Sequence, residues 1–428
     1  MIHEDIFILI MGYFEDITVD HIAYNIRYLP HLVFEVTDKC NLRCKYCGYA
    51  ELYDGYDERA GKELPFAKAK TMIDYLVKIW KDIYSPSVVF PVLIGFYGGE
   101  PLMNVPLIKK IIDYIEKTED TGKKFSYNMT TNAMLLDKYM DYLVAKDFQL
   151  LISLDGDEMA QSYRVDHSGN NSFNRVFRNI KLLQTKYPDF FQKSVNFNSV
   201  LHNRNSVEST HKFITNNFNK TPQIASLNAF GVRKEKVEEF RRMYQNTMDS
   251  ILKSENCEAI ESELLMKDPR ANQLIRYFNR QTGNFFNDYT ELFIDKSAFK
   301  RPYTGTCLPF SKKMFVTVNG KILQCERIDQ DFVLGYVHDD RVELDYEYIA
   351  AMHNTNVTKC IKQCNVCAIN TLCPECVYNF NDIRESEAVC KNFCSKKELD
   401  IKNKMNMDFL RKHPDYYEKI LTEVTLKR

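Results

Sequence analysis

The segment HLVFEVTDKCNLRCKYCGYA, residues 31–50, joins a short apolar run to three closely spaced cysteines. The apolar part, HLVFEVT, has the length and the β-branched content of a buried strand. Cys40, Cys44 and Cys47 follow it at once, with three residues in the first gap and two in the second. This arrangement predicts a strand that ends in a loop able to bind a metal or a redox group.

The bulk composition limits the possible partners. The chain has 428 residues, with 57 lysines and arginines against 58 aspartates and glutamates. This balance gives no sequence-wide attraction to nucleic acid or to an anionic membrane. The apolar runs are shorter than the ~20 residues that cross a bilayer, and the acidic start MIHEDIF is unlike a signal peptide. We therefore expect a cytoplasmic protein with no nucleic-acid partner and no membrane partner.

From residue 31 to about residue 230, short apolar runs alternate with helical patterns, as in a parallel sheet built from βα units. The candidate strands are HLVFEVT, PVLIGFYGG, FSYNMTTN, FQLLISLDG, KSVNFNSVL and QIASLNAFG. Six strands, rather than eight, predict an α/β fold: a partial (β/α)6 barrel of the TIM type that is open on one side. In such folds, sites form at the carboxyl ends of the strands.

The domain organisation follows from changes in this pattern. We predict an N-terminal segment (1–30), the partial barrel (31–231), a charged helical connector (232–300) and a cysteine-rich domain with a final helix (301–428). Within the last domain, KKMFVTVNGKILQCE predicts a β-hairpin, and we expect Asn319 and Gly320 to supply the positive φ angles of its turn.

Thirteen cysteines in a reducing compartment indicate metal or redox chemistry rather than disulfides. A structural zinc site uses four protein ligands, usually delivered as two pairs. The first loop offers only three thiolates, which would leave one iron of a 4Fe–4S cluster open to another ligand. A degenerate zinc knuckle and chance clustering remain the alternatives for this loop.

The CxxxCxxC spacing, with the aromatic Tyr46 before its last cysteine and a strand before its first, resembles the signature of the radical S-adenosylmethionine (radical SAM) superfamily. The resemblance implies that Cys40, Cys44 and Cys47 hold a 4Fe–4S cluster whose open iron binds S-adenosylmethionine. It implies reductive cleavage to a 5′-deoxyadenosyl radical, with electrons from an external donor of the flavodoxin or ferredoxin type.

Polar residues at later strand ends extend this resemblance. FYGGEPLMN resembles the family's GGE motif, in which glycines admit the methionine amino group and a carboxylate offsets its charge. Other polar residues would hold the ribose and the carboxylate, and an arginine would pair with the methionine carboxylate through a bidentate fork. Each could instead belong to an ordinary turn or to the surface. The cofactor-binding residues implied are Tyr46, Gly98, Gly99, Glu100, Thr131, Asn132, Ser153, Asp155 and Arg164.

The C-terminal cysteines resemble the SPASM extension of radical SAM enzymes that modify peptides and proteins. This resemblance implies one or two auxiliary 4Fe–4S clusters, with a pair of zinc sites as the alternative. One ligand set would be Cys307, Cys325 and Cys376, and the other Cys364, Cys367, Cys373 and Cys394. Two further cysteines, Cys360 and Cys390, depart from the pattern. Either could complete the first set, or the first cluster could keep an open iron. We expect Cys257 to be an inert thiol.

Glu326 directly follows Cys325. In the anaerobic sulfatase-maturating enzymes, which the chain resembles in both halves, an aspartate at this place accepts a proton from the substrate. The resemblance makes Glu326 a candidate catalytic base. A solvated hairpin residue is the alternative.

These features predict a radical SAM/SPASM maturase that abstracts hydrogen from a peptide or protein substrate and leaves a crosslinked or oxidised side chain. Sulfatase maturation by formylglycine formation is the second hypothesis, and a zinc-stapled binding module without catalysis is the third. The segment before the first strand is too short for a complete winged-helix domain, so we expect any leader peptide to be recognised elsewhere.

Overall fold

The computed structural model describes residues 16–81, 90–118, 123–257, 259–260, 264, 273–278, 304–370 and 373–423. The helices are α1 (Val19–Arg27), α2 (Phe66–Lys81), α3 (Val105–Lys117), α4 (Leu136–Ala145), α5 (Phe173–Lys186), α6 (Pro188–Ser194), α7 (Val207–Phe218), α8 (Val237–Met243), α9 (Thr247–Leu252), α10 (Tyr346–Thr358), α11 (Ile361–Asn365), α12 (Lys396–Lys412) and α13 (Pro414–Glu423). The strands are β1 (His31–Thr37), β2 (Phe90–Gly98), β3 (Lys123–Thr131), β4 (Gln149–Ser153), β5 (Val195–Leu201), β6 (Gln223–Ser226), β7 (Met314–Val316), β8 (Lys321–Leu323), β9 (Gly335–Val337) and β10 (Val342–Leu344).

These strands form one sheet in the order β10-β9-β8-β7-β1-β2-β3-β4-β5-β6. From β1 to β6 every neighbouring pair is parallel, and helices connect successive strands. Among the described residues β6 and β10 are the two edges of the sheet, which therefore does not close. The predicted α/β fold with an open parallel sheet is confirmed.

The main core lies between the sheet and the helices. Leu32, Phe34 and Val36 of β1 are buried at alternate positions, as the period of a strand requires. Helix α3 faces inward with an isoleucine stripe that includes Ile108 and Ile112, both fully buried. Each such side chain contributes about 1.5–3 kcal/mol by leaving water. The opposite face of β1 carries Val33, Glu35 and Thr37, which are buried as well.

The predicted hairpin is present, and its first strand extends the sheet. β7 pairs in parallel with β1, and β8 pairs antiparallel with β7. The turn is closed by the Thr317 amide donating to the Lys321 carbonyl (2.9 Å) and the Gly320 amide donating to the Thr317 carbonyl (2.8 Å). Gly320 has a φ of +83°, but Asn319 is not among the residues with positive φ. The expectation for Asn319 was wrong because the loop has three residues and needs one left-handed position, at Gly320.

The chain divides into two compact units. The sheet unit comprises Asn25–Glu263 and Phe310–Asp345, and the cysteine-rich unit comprises Met1–Tyr24, Leu264–Pro309 and Tyr346–Arg428. The predicted domain boundaries stay predictions, since much of the proposed N-terminal segment and connector lies outside the described residues. No described helix combines the length and the apolar character needed to cross a membrane.

Candidate active site

The three-cysteine loop leaves the carboxyl end of β1 and is held against the segment after β4. The Arg43 amide donates to the Val165 carbonyl (2.7 Å), and the Lys45 amide donates to the Tyr163 carbonyl (3.1 Å). Within the loop, the Leu42 amide donates to the Cys40 sulfur at 3.4 Å. The backbone of the loop is thus fixed on both sides of Cys44.

The thiols of this loop are partly buried and lie within electrostatic range of one another. Burial raises the pKa of Cys40 to about 12, and the charge of Cys47 adds to this effect. Burial likewise raises the pKa of Cys44 to about 12, with further contributions from Cys47 and Cys40. Without a cation, Cys40 and Cys44 stay protonated near neutral pH, so metal binding here must release protons.

Two glycines at the end of β2 allow this strand to approach the loop. A Cβ on Gly98 would lie 2.1 Å from the Thr37 carbonyl oxygen, and one on Gly99 would lie 2.2 Å from the Lys39 carbonyl oxygen. Gly98 also has a φ of +149°. The close approach lets the Gly99 amide donate to the Thr37 carbonyl at 3.0 Å. The structure thus places the predicted glycines against the backbone that leads into Cys40.

Glu100 links the ends of β2 and β3. Its carboxylate accepts hydrogen bonds from the Leu102 amide (3.0 Å), the Thr131 hydroxyl (2.7 Å) and the Asn132 amide (2.7 Å). The Asn132 side chain in turn donates to Asn41 at 2.8 Å and lies 3.8 Å from the Cys40 sulfur. The predicted residues Glu100, Thr131 and Asn132 therefore lie together, in a chain of contacts that reaches the first cysteine.

The buried carboxyl of Glu100 sets an expected pH dependence. Burial outweighs its hydrogen bonds and raises its pKa from 4.5 to about 7. Its stabilising contribution is therefore fully present below about pH 4.5 and is lost as the pH rises through 7. We expect the metal-free, reduced protein to lose up to about 3 kcal/mol of unfolding free energy through this residue between pH 5 and pH 8. Denaturant titrations across this range should give a flatter profile for Glu100→Gln; an unchanged slope would contradict the prediction.

Asp155, after β4, is fully buried and lies beneath the cysteine loop. Its carboxylate accepts two hydrogen bonds from Arg164, each 3.0 Å long, one from the Val200 amide at 2.9 Å and one from the Tyr46 hydroxyl. Burial alone would raise its pKa, but the Arg164 charge, the nearby His202 ring and the hydrogen bonds from Arg164 and Tyr46 hold the pKa at about 2. Asp155 is therefore a permanent carboxylate.

His202 completes what we call the Asp155 cluster: Asp155, Arg164, Tyr46 and His202. Its Nε2 lies 3.7 Å from Asp155, and its ring stacks on Tyr46 at 5.5 Å. Its Nδ1 accepts a hydrogen bond from the Arg204 amide at 3.1 Å. The sequence analysis missed His202, although its place directly after β5 matches the strand-end rule that pointed to the other site residues.

In the structure, the predicted bidentate contact of Arg164 is made with the Asp155 carboxylate. Its Nε and Nη2 both donate to that carboxylate, and the side chain is 9% exposed. In this conformation Arg164 orients Tyr46 through Asp155, so its expected contact with S-adenosylmethionine stays a prediction. Ser153 is buried at the end of β4, in register with Asn198 of β5.

Glu326 lies at a buried ion pair in the sheet unit. Its carboxylate contacts the Lys313 ammonium at 2.9 and 3.1 Å and is 14% exposed. Burial would raise the pKa of Glu326, but the Lys313 charge outweighs burial and lowers it.

Tyr56 lies between the hairpin and the first cysteine loop. Burial raises the pKa of Tyr56 to about 12, and the charges of Cys325, Cys47 and Glu326 add to this effect. The hairpin cysteine and the candidate base therefore lie near the first cysteine loop. Lys313 was not predicted from the sequence.

The sequence analysis also missed the buried charge of Glu35, which lies on β1. Glu35 accepts a 2.5 Å hydrogen bond from Arg59 and one of 3.1 Å from the Val318 amide. The Arg59 guanidinium lies 3.9 Å from the centre of the Tyr49 ring, just past Cys47. A single glutamate inside an apolar strand was the available signal, because a charge in that position needs a partner.

In the cysteine-rich unit, Cys307 and Cys376 lie within electrostatic range of each other. A separate depression is lined by Cys364, Cys367, Cys373 and Cys390, whereas Cys360 and Cys394 are buried. All thirteen cysteines lie among the described residues, and none forms a disulfide.

The thiol geometry can be tested against the kinds of metal group it would hold. Within the described ranges, no three or more His, Cys, Asp or Glu side chains form a group that could hold a metal ion. The sulfurs of a four-iron cube sit further apart than the ligands of one ion, since each binds a different iron. Three thiols on one loop are the number of protein ligands that leaves one corner of such a cube unligated.

Part of this chain is similar to known proteins. Residues 34–214 match the family model described as Radical SAM superfamily. The cysteine-type anaerobic sulfatase-maturating enzyme of Clostridium novyi is 29% identical over 160 residues, which are 37% of this chain and 41% of the relative. The radical SAM cyclopropyl synthase TigE of Paramaledivibacter caminithermalis is 28% identical over 170 residues, which are 39% of this chain and 34% of that protein. The matched segment therefore spans less than half the length of these relatives.

The solved structure of native anSMEcpe with bound AdoMet and Cp18Cys peptide has a TM-score of 0.57 with this chain at 16% identity. The alignment covers 92% of this chain and 99% of that chain, so the two share a fold. The open barrel and its thiol loop thus define a radical SAM domain. Over that domain, the chain is related to anaerobic sulfatase-maturating enzymes. This family implies a 4Fe–4S cluster and S-adenosylmethionine as cofactors.

Proposed function

We propose that this chain is a radical SAM enzyme that oxidises or crosslinks a residue of a peptide or protein, with auxiliary iron–sulfur clusters in a SPASM-type C-terminal region. The central observation is the trio Cys40, Cys44 and Cys47 at the end of β1, in contact with the polar ends of β2 and β3. When bound, the cluster and S-adenosylmethionine supply an electron and a 5′-deoxyadenosyl radical. The chain's own residues would hold the cluster and S-adenosylmethionine in position.

The strand ends provide the binding surface for the cofactor. Gly98 and Gly99 keep the backbone of β2 flat against the loop, and Glu100 fixes the Asn132 amide. The Asp155 cluster holds Tyr46, which lies between two of the cysteines. We propose that these groups orient the methionine and ribose parts of S-adenosylmethionine at the open corner of the cluster.

Glu326 is the proposed base for the substrate proton. Lys313 keeps its carboxylate ionised and so ready to accept a proton. The same ion pair lowers its basicity, which suits a substrate carbon that has become acidic through loss of hydrogen. The open side of the barrel would admit a peptide, and the Cp18Cys peptide bound to anSMEcpe, on the same fold, supports this substrate class.

An acidic electron donor of the flavodoxin or ferredoxin type fits the surface around Cys44. Arg43 and Lys45 are exposed on either side of this cysteine. Arg204, also exposed, lies 3.9 Å from the centre of the Tyr163 ring, and the Lys45 ammonium lies 5.9 Å from the same ring. This group of cations would steer an anionic partner toward the loop. Reduction by an acidic flavodoxin should slow as salt rises, and a rate independent of salt would contradict this.

The experiment for the main proposal uses anaerobically purified, reconstituted protein with S-adenosylmethionine, a reductant and candidate precursor peptides. We expect 5′-deoxyadenosine and a peptide lighter by about two hydrogen atoms. Finding neither with a fully reconstituted protein would refute the proposal. Zinc in place of iron after anaerobic purification would support a binding module instead.

Sulfatase maturation is the second candidate, because a related enzyme with that name covers the radical SAM domain. The presence of Glu326, one methylene longer than the aspartate of those enzymes, argues mildly against it. A short peptide with a sulfatase motif distinguishes the two: formylglycine would establish this activity, and no turnover would remove it.

A further inference from the structure

The cysteine-rich unit contains a small, open depression with a volume of about 10 Å³. Cys364, Cys367, Cys373 and Cys390 line it, and the aromatic rings of Phe380 and Phe393 add apolar walls. Cys390 lies within electrostatic range of Cys364 and Cys367, and Cys373 lies within range of Cys364 and Cys390. Four thiols from separate turns of the chain therefore surround one space.

Cys390 is held at this space by a side chain from the helix that carries Cys364. The Gln363 side-chain Nε2 donates to the Cys390 backbone carbonyl at 3.2 Å, and the Cys390 backbone amide donates to the Gln363 side-chain Oε1 at 2.9 Å. These two hydrogen bonds fix the backbone of Cys390 relative to α11. The position of Cys390 is thus set by its neighbours before any metal binds.

The thiol of Cys394 contacts groups outside this depression. It is fully buried and is not among the residues that line the depression. Its sulfur lies 3.6 Å from the Ser395 carbonyl oxygen and 3.8 Å from the Lys402 ammonium. Ser395 is the N-cap of α12 and forms a capping box with Glu398. Turning the Cys394 thiol into the depression would break its contacts with the Ser395 carbonyl and the Lys402 ammonium.

Cys360 does not line the depression, although its thiol contacts the thiol of Cys364. It is 2% exposed, and its thiol donates to the Val357 carbonyl at 3.2 Å, at the end of α10. A thiol that bonds back to its own helix has its proton in use. Of the two additional cysteines, Cys390 alone lines the depression.

We propose that Cys390, and not Cys394, is the fourth thiolate of the iron–sulfur cluster held by Cys364, Cys367 and Cys373. Cys394 is then a structural thiol at the start of α12. Four cysteine thiolates are the usual ligand set of a 4Fe–4S cluster. This inference rests on the proposed function, since it assumes that the auxiliary metal is an iron–sulfur cluster.

The test uses the full chain with Cys40, Cys44 and Cys47 replaced by alanine, so that only C-terminal clusters remain. Cys390→Ala, Cys394→Ala and Cys257→Ala are added one at a time to this background. Iron, sulfide and zinc contents and low-temperature EPR spectra are measured after anaerobic reconstitution. We expect Cys390→Ala to lose up to about four irons or to give an altered EPR signal, while the other two keep the parent's iron and signal.

Loss of the cluster signal in Cys394→Ala, whatever Cys390→Ala shows, would overturn the assignment, as would a parent signal retained in Cys390→Ala. Cys390→Ser guards against a general folding defect, because its oxygen can still ligate iron and should give a shifted signal rather than none. The chain with wild-type Cys40, Cys44 and Cys47 reports separately on the function: cleavage of S-adenosylmethionine there shows that the first cluster works even if Cys390 is not a ligand.

Discussion

Cys44→Ala is expected to abolish the formation of 5′-deoxyadenosine, with a loss of at least about a thousandfold, because the reaction depends on a group that this thiol would hold. Cys44 is the middle cysteine of the trio, and its neighbours in the loop are fixed by the Val165 and Tyr163 carbonyls. Chromatography of the products after incubation with S-adenosylmethionine and dithionite gives the readout.

The matched control is Cys257→Ala, which removes a thiol outside both cysteine-rich regions. We expect Cys257→Ala to keep the wild-type rate, and Cys44→Ala to lose about four irons per chain while its C-terminal clusters remain. Cleavage at the wild-type rate by Cys44→Ala would show that the trio is not the site. Equal losses in both variants would point to a general loss of folding, which circular dichroism would reveal.

The strands of the barrel could be predicted because each is a short apolar run followed by a helix. HLVFEVT coincides with β1, and the other candidate strands overlap β2 to β6. The spacing of Cys40, Cys44 and Cys47 pointed to the correct end of the sheet because all three lie on one loop. Local pattern is sufficient when the residues of a feature are close together in the chain.

The partners of the site residues could not be predicted in this way. Asp155 depends on Val200 and His202, which lie on another strand and its following turn, more than forty residues away. The pairing of Glu326 with Lys313 depends on the hairpin register, and the proposed choice of Cys390 over Cys394 depends on which of them lines the depression. A sequence gives the residue types that need partners, but the backbone decides which partner each receives.

Asp155→Ala is expected to lower the free energy of unfolding by about 3–5 kcal/mol, because it leaves the buried Arg164 charge without a partner. Asp155 is fully buried, and the Arg164 side chain is 9% exposed, so water cannot replace the lost carboxylate. The Tyr46 hydroxyl and the Val200 amide lose their acceptor as well. Thermal and denaturant unfolding of the apo-protein measure the change.

The exposed ion pair of Asp141 with Lys186, 2.7 Å long, provides the matched control, and Asp141→Ala should leave stability unchanged within error because water screens that pair. The double variant Asp155→Leu with Arg164→Met should recover part of the loss, since two apolar side chains leave no buried charge. It should not recover iron retention by the first loop, because the Tyr46 hydroxyl would still lack its acceptor. Full recovery of both stability and iron would mean that the Asp155 cluster supports the fold alone and does not position the cysteine loop.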